Sequence, residues 1–376
     1  MGGPVAALAA AVVAGLASSA VAGTVIVPTS HNWAWARLAG LQSVLAPVAA
    51  PGTPYAYAVQ VPLTSPTPRE GRLVRVDLAT GQLANGPEVL STSHLLVVGR
   101  AVALLSPTAI APNGVPQGPY SLRMLIGRGA SLGPPIRLAW AGPMGGLLSG
   151  ATSLTAGGIW LPTAKGAQLV SVTSGAVLRT LNLRAGVSDV AASPDGSLVY
   201  VSLDGLAGQS SGGTVIEEID ASSGRLLAQQ EVKTTGWAAL TPVPGAVWAS
   251  YRTGMAGSAN LYLARGLALV AGPSVGQFSP VPRYGSDQIQ GFSVSYLGGA
   301  LWLQSGSGAS CSSPSTGRLR AGVVFAGNEK TGSDGWAPFA TWDGLVYAVA
   351  GIFSAPSNGI VVVRPPAACG LGRAAL

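Results

Sequence analysis

The strongest constraint on this chain is an internal repeat of roughly 45–50 residues. A unit that short cannot bury its own apolar faces and must stack on its neighbours. The clearest copy spans Gly186 to Val232. It opens VSDVAASPDGSLVYVSLDG, crosses the small polar stretch GLAGQSSGG and closes TVIEEIDASSGRLLAQQEV. Alternation of apolar and polar residues predicts four strands, Val187 to Ala192, Ser197 to Ser202, Val215 to Asp220 and Arg225 to Val232. Two turns punctuate them. At Ser193-Pro194-Asp195-Gly196, Pro194 fixes φ, Asp195 can accept from its own backbone and Gly196 permits positive φ. Asp220 and Gly224 frame the second turn in the same way.

Weaker copies recur along the chain. Arg72 to Val89 reads RLVRVDLATGQLANGPEV, with Asp77 and Gly81 at its turn. Gln168 to Leu183 turns at Gly175, Asn260 to Ala271 at Gly266, and Gly317 precedes Arg318 to Phe325. The first two strands of a unit repeat as well: Trp237 and Trp336 each follow a glycine at equivalent positions. The units fall at roughly 41–90, 94–140, 147–183, 187–232, 236–272, 291–326 and 335–363. The expectation is an all-β chain, a seven-bladed β-propeller of four-stranded antiparallel blades, in which stacking buries both faces of every sheet. The last unit is short of an outer strand, and Gly23 to Pro28 has the β-branched composition to supply it. Helical spacing is confined to Trp35–Val48, which is read as a linker or a first strand.

The N-terminal segment has a different character. An Ala-rich apolar stretch runs from Val5 to Val21 and ends in Ala20-Val21-Ala22, a small-x-small cleavage pattern. Residues 1–22 are therefore expected to be a signal peptide, with an uncleaved N-terminal membrane anchor as the second reading, and residues 23–376 a single propeller domain. Cys311 and Cys369 are the chain's 2 cysteines, and an even count in an exported chain predicts one disulfide between them. It would staple the tail to the sixth unit.

The unit from Val187 to Val232 resembles the YVTN-type β-propeller repeats of bacterial and archaeal surface proteins. Ser193-Pro194-Asp195-Gly196, the Tyr200-Val201 strand and Asp220 with Ser223-Gly224 carry the likeness, which extends to quinoprotein-like and WD40-like repeats. The resemblance covers about one unit well and implies the fold. It transfers no catalytic residue, because such repeats host many functions.

The chemistry-bearing residues point to no specific reaction. His31 and His94 are the 2 histidines and form no zinc-binding pattern, so neither a metal nor another cofactor is expected. Asn328, Glu329 and Asp334 read as a solvated turn rather than a cation loop. Asp189, near the start of an inner strand, either lines a pore or caps a strand end, and capping is the preferred reading. The net charge is +7, with 21 Lys and Arg against 14 Asp and Glu. Arg69, Arg72 and Arg75 are the densest basic group and make no phosphate-tracking run, so nucleic acid is not an expected partner. Trp237 and Trp336 are expected to pack blade on blade, with a pore-mouth aromatic ring as the alternative. The functional expectation is an exported, secreted or cell-envelope, non-enzymatic binding or scaffold propeller for a protein, glycan or cell-wall polymer, with membrane association if the N-terminal segment is retained. The alternative is a hydrolase or lyase working at a central pore.

Overall fold

The structure is a computed structural model that describes residues 25–26, 34–37, 44–61, 70–111, 116–126, 130–140, 157–163, 165–183, 186–203, 214–232, 238–244, 246–253, 260–264, 279–280, 294–305, 308–315, 319–324, 336–350 and 359–371. Within these residues the chain is all β apart from one turn of 3-10 helix at Ala367–Cys369. It divides into two compact units, Met1–Ser91 with Gly127–Ser131 and Gln290–Leu376, and Thr92–Ile126 with Leu132–Ile289.

The first unit holds three antiparallel sheets. Val44–Ala49, Tyr55–Gln60, Glu70–Asp77 and Leu83–Leu90 follow one another as a meander. Val294–Leu297, Ala300–Ser305, Gly308–Ser312 and Leu319–Val324 do the same. In the third, Trp336–Trp342, Leu345–Ala350 and Gly359–Arg364 are extended by Ala34–Arg37 and then Val25–Ile26 from the N-terminal part of the chain. Short turns enforce the meanders. Asp343-Gly344 joins Trp342 to Leu345 with φ of 46° and 72°, and Gly298-Gly299 joins Leu297 to Ala300 with 57° and 77°. Positive φ at both central residues gives the twist that matches paired strands.

Alternation then buries one face of each sheet against the next. Ala56, Ala58, Val74 and Val76 pack on Ala340, Tyr347, Ile360 and Val362, and the Tyr347 hydroxyl donates to the Leu78 carbonyl. On the other side of the last sheet, Val346, Ala348 and Val363 meet Ala300, Trp302, Cys311 and Cys369. The disulfide Cys311–Cys369 lies inside this layer, with Cα atoms 5.7 Å apart and both residues 0% exposed.

In the second unit, His94–Val98, Ala101–Ile110 and Pro116–Ile126 form one sheet with the two-residue strands Ser131–Leu132 and Ile136–Arg137. Gly158–Thr163, Gly166–Ser171 and Val177–Asn182 form the next. Val187–Ala192, Leu198–Leu203, Thr214–Asp220 and Leu226–Val232 follow, and then Ala238–Val243, Ala246–Thr253, Asn260–Ala264 and Ser279–Pro280. Leu96, Ala103, Leu105 and Leu122 pack on Ile159, Leu161 and Val170, while Trp160, Ala167 and Leu181 pack on Val190, Val199, Val201 and Leu203.

Two expectations need correction. Seven uniform four-stranded blades are not what the chain builds, because the sheets have from three to five strands among the described residues. Strand addition is the reason: the last sheet gains two strands from residues far away in sequence, and the sheet beginning at His94 gains two short ones from its own connection. The 23–28 segment does supply the outermost strand of that sheet, as Val25–Ile26, but Ala34–Arg37 stands between it and Gly359–Arg364. The Trp35–Val48 stretch, read as a linker or a first strand, holds the strands Ala34–Arg37 and Val44–Ala49. Trp237 and residues 148–154 and 328–334 lie outside the described residues.

Candidate functional site

The repeated turn is built from one small set of hydrogen bonds. Asp77 accepts at Oδ1 from the Ala79 and Thr80 amides at 2.9 and 3.2 Å, and its carbonyl accepts from Gly81 at 2.7 Å. Asp220 repeats this with the Ser222 and Ser223 amides at 3.0 and 2.6 Å and Gly224 at 2.8 Å. Ser171 replaces the carboxylate in the sheet that begins at Gly158, its Oγ accepting from Thr173 and Ser174 at 3.3 and 3.1 Å. The Ser222 hydroxyl, then the Ser223 amide and hydroxyl, hold the Asp220 carboxyl well below the usual carboxylate range. Each turn closes on a glycine with φ of 71–73°, at Gly81, Gly175 and Gly224. At Gly175 a Cβ would also come within 2.0 Å of the Arg137 carbonyl oxygen. At the other turn, Asp195 Oδ1 accepts from the Ser193 hydroxyl at 2.5 Å and from Ser197 N and Oγ at 3.1 and 2.9 Å, which lowers its pKa. Pro194 precedes Asp195 in that turn, and Gly196, at φ 73°, closes it.

Asp189 is 1% exposed. Its Oδ1 accepts from the Val190 amide at 2.9 Å, and its Oδ2 from the Leu240 amide at 2.7 Å, which belongs to the following sheet. The carboxylate is thus a clamp between two sheets of the second unit. The same face carries Ser202, opposite Asp189, and Tyr200, opposite Glu218. Tyr200 is 0% exposed and its hydroxyl has no hydrogen-bond partner among the described residues. Burial, then the Glu218 and Asp195 charges, pushes the phenol up, and burial raises the Glu218 carboxyl as well. His94 opens the strand His94–Val98, and burial pushes its imidazole below its ordinary value. Beside it Ser93 and Ser106 share a hydrogen bond of 2.5 Å.

A second polar group lies in the first unit, on the sheet Val44–Leu90. Tyr55, Tyr57, Arg75 and Asp77 share one of its faces, since Tyr57 is opposite Arg75 and Tyr55 opposite Asp77. The Arg75 guanidinium carbon is 4.6 Å from the Tyr55 ring centroid. Burial raises the Tyr57 phenol and the Arg75 charge offsets part of that rise.

The aromatics serve several sheets. Trp160, Trp248 and Trp302 are buried, and Trp140 donates to the Pro162 carbonyl at 2.8 Å with its ring 4.8 Å from Tyr120. Trp336 opens its strand with its backbone opposite Ala350, and its side chain lies outside the described residues. Among the described residues no three His, Cys, Asp or Glu side chains gather as metal ligands. Sequence reasoning missed the Asp189–Leu240 bond and the Tyr55–Arg75 stack. The alternation that places Arg75 beside a tyrosine was visible, but the register was not.

No family model matches the chain, and no curated protein matches it. Solved structures do. The chain is similar to the β-propeller domain of the trilobed protease from Pyrococcus furiosus, described as having an open velcro topology, at 9% identity and a TM-score of 0.52 over 84% of this chain and 94% of that one. It is also similar to hydrazine synthase of Kuenenia stuttgartiensis, at 13% identity and a TM-score of 0.50 over 86% of this chain and 96% of that one. The fold is a β-propeller related to those of other propeller proteins. The likeness does not reach a YVTN or quinoprotein subtype, and at these identities it carries no activity across.

Proposed function

We propose that the chain is an exported β-propeller that binds or scaffolds a partner, rather than a catalyst working at a pore. One observation carries this reading. Asp77, Asp189, Asp195 and Asp220 each have carboxylate oxygen engaged by backbone amides of the frame itself. Acids held that way position loops and sheets. They are poor candidates for proton transfer, which needs a carboxyl with a clear line to substrate. The buried Cys311–Cys369 bond supports an oxidising compartment. The apolar stretch before Ala22 supports export, and cleavage there would start the mature chain at Gly23, two residues before Val25–Ile26. The net charge of +7 favours an acidic partner, such as a cell-wall polymer, glycan or protein surface.

The test is mass analysis of the protein recovered from its natural host, with and without reduction, alongside a binding and turnover panel. The reading expects a chain beginning at Gly23, a two-hydrogen mass gain on reduction, retention on an acidic glycan or polymer, and no product from ester, lactone or glycoside substrates. Turnover of any of these, or a cytoplasmic chain with reduced cysteines, would overturn it.

A further inference from the structure

We propose that Arg75, held on Tyr55, is the docking point for an oxyanion of an acidic polymer, a carboxylate or a phosphodiester repeated along a chain. The proposal rests on the binding-module reading and names its ligand chemistry. Three observations lead to it. Arg75 is partly buried with its guanidinium over the Tyr55 ring, 4.6 Å from the centroid. Its Nε is buried and has no hydrogen-bond partner among the described residues, a rare state for so strong a donor. And it has no acidic counterpart among the described residues. Arg72, on the same strand, pairs with Glu88 at 3.6 Å, but the carboxylate nearest to Arg75 in register, Asp77, is engaged by the Ala79 and Thr80 amides.

The chemistry follows from the geometry. A guanidinium is a planar fork of five N–H donors with no acceptor, and it matches the paired oxygens of carboxylate or phosphate. Stacking on an aromatic ring fixes that plane before any ligand arrives, so less side-chain freedom is lost on binding. Tyr57, on the same face and directly opposite Arg75, is a second tyrosine beside it, 5% exposed. The result is a fixed cation with no ion pair among the described residues, on a chain of net charge +7. Long-range attraction would gather an anionic polymer, and Arg75 would set where it seats.

The full chain is tested for binding to polygalacturonate, which presents carboxylates, to polyglycerol phosphate, which presents phosphodiesters, and to neutral dextran. The expected result is retention on one or both anionic polymers and none on dextran, the polymer retained naming the source of the oxyanion. Arg75→Gln lowers that affinity at least tenfold, whereas Arg72→Gln changes it less than twofold. Tyr55→Leu, which keeps the charge and removes the stack, lowers affinity at least threefold and decides the matter if Arg75→Gln does not fold. Equal binding by wild type and Arg75→Gln would overturn the proposal, as would an unaltered Tyr55→Leu, equal retention on dextran, or no anionic binding at all. If no anionic polymer binds but a neutral glycan or a protein does, the oxyanion site fails while the binding-module reading stands.

Discussion

Replacing Asp189 by Asn tests whether two sheets of the second unit are clamped by a carboxylate. The side chain is buried and accepts from two backbone amides, Val190 at 2.9 Å and Leu240 at 2.7 Å. Asn keeps the shape but offers one acceptor oxygen and an NH2 group. One amide then faces a donor. Loss of a hydrogen bond to a charged group removes about 1.5–3 kcal/mol, and a buried donor left unpaired costs about 1–3 kcal/mol. The two descriptions overlap, so the expected destabilisation is about 3 kcal/mol. At ~2–4 °C per kcal/mol for a domain of some 200 residues, the melting point falls by about 6–12 °C. Thermal melts give the size, and amide hydrogen exchange gives the cause, because protection should fall at Leu240 or Val190 before it falls across the sheets. A melting point within 1 °C of wild type, with both amides still protected, would refute the clamp.

Three further outcomes are expected. Cys311→Ser with Cys369→Ser opens a loop of 58 residues and should lower stability by about 4 kcal/mol on the chain-entropy account, read as a difference in urea midpoint that vanishes when wild type is reduced. Gly175→Ala should destabilise more than Gly224→Ala, since a Cβ would lie 2.0 Å from the Arg137 carbonyl at the first site and 3.2 Å from the movable Leu181 side chain at the second; parallel melts of the two variants check the order. His94 should make the fold acid-sensitive. Its folded pKa is depressed by burial below the ordinary 6.5, so the unfolded chain binds the proton first, and stability that is whole above pH ~6.5 is lost as pH falls toward the folded value. His94→Leu should flatten that part of the stability profile while the further loss below about pH 4, where Asp195 and Asp220 take up protons, remains.

What the sequence disclosed was the local part of the fold. The strands of the 187–232 sheet were legible to within a residue or so, because Ser-Pro-Asp-Gly and Asp-x-x-x-Gly dictate their turns through contacts no more than five residues long. Ser171 shows why weaker copies are harder to see. Its hydroxyl takes the same two amides that Asp220 takes with its carboxylate, so the geometry persists after the diagnostic acid is gone. The number of strands per sheet was not legible, because it depends on which edge a distant segment joins, and β pairing leaves no mark in local alternation. The same holds for the candidate sites. Asp189 could be placed at a strand end, but its partner Leu240 is 51 residues away. Tyr55 and Arg75 alternate in the right phase on their own strands, and only the register between those strands brings guanidinium and ring together.

The first unit secures two distant parts of the chain in adjacent sheets, and by different means. Ala34–Arg37 pairs through four residue positions with Gly359–Arg364, main chain to main chain. The segment after Gly359–Arg364 turns back instead through Cys369, whose carbonyl accepts from Arg320 at 3.3 Å and whose sulfur is bonded to Cys311. The loop closed by the strand pairing is more than five times longer than the one closed by the disulfide, but closure entropy rises only as the logarithm of length. The larger difference is reversibility. Two short strands added at one end of a sheet open and close at the low-stability end of the molecule, while a buried covalent bond does not open at all under oxidising conditions. A chain built this way keeps Cys369 and its neighbours seated on Cys311, Ala300 and Trp302 even when the added strands are open. The strand Gly359–Arg364 therefore stays in place as the template on which Ala34–Arg37 re-forms.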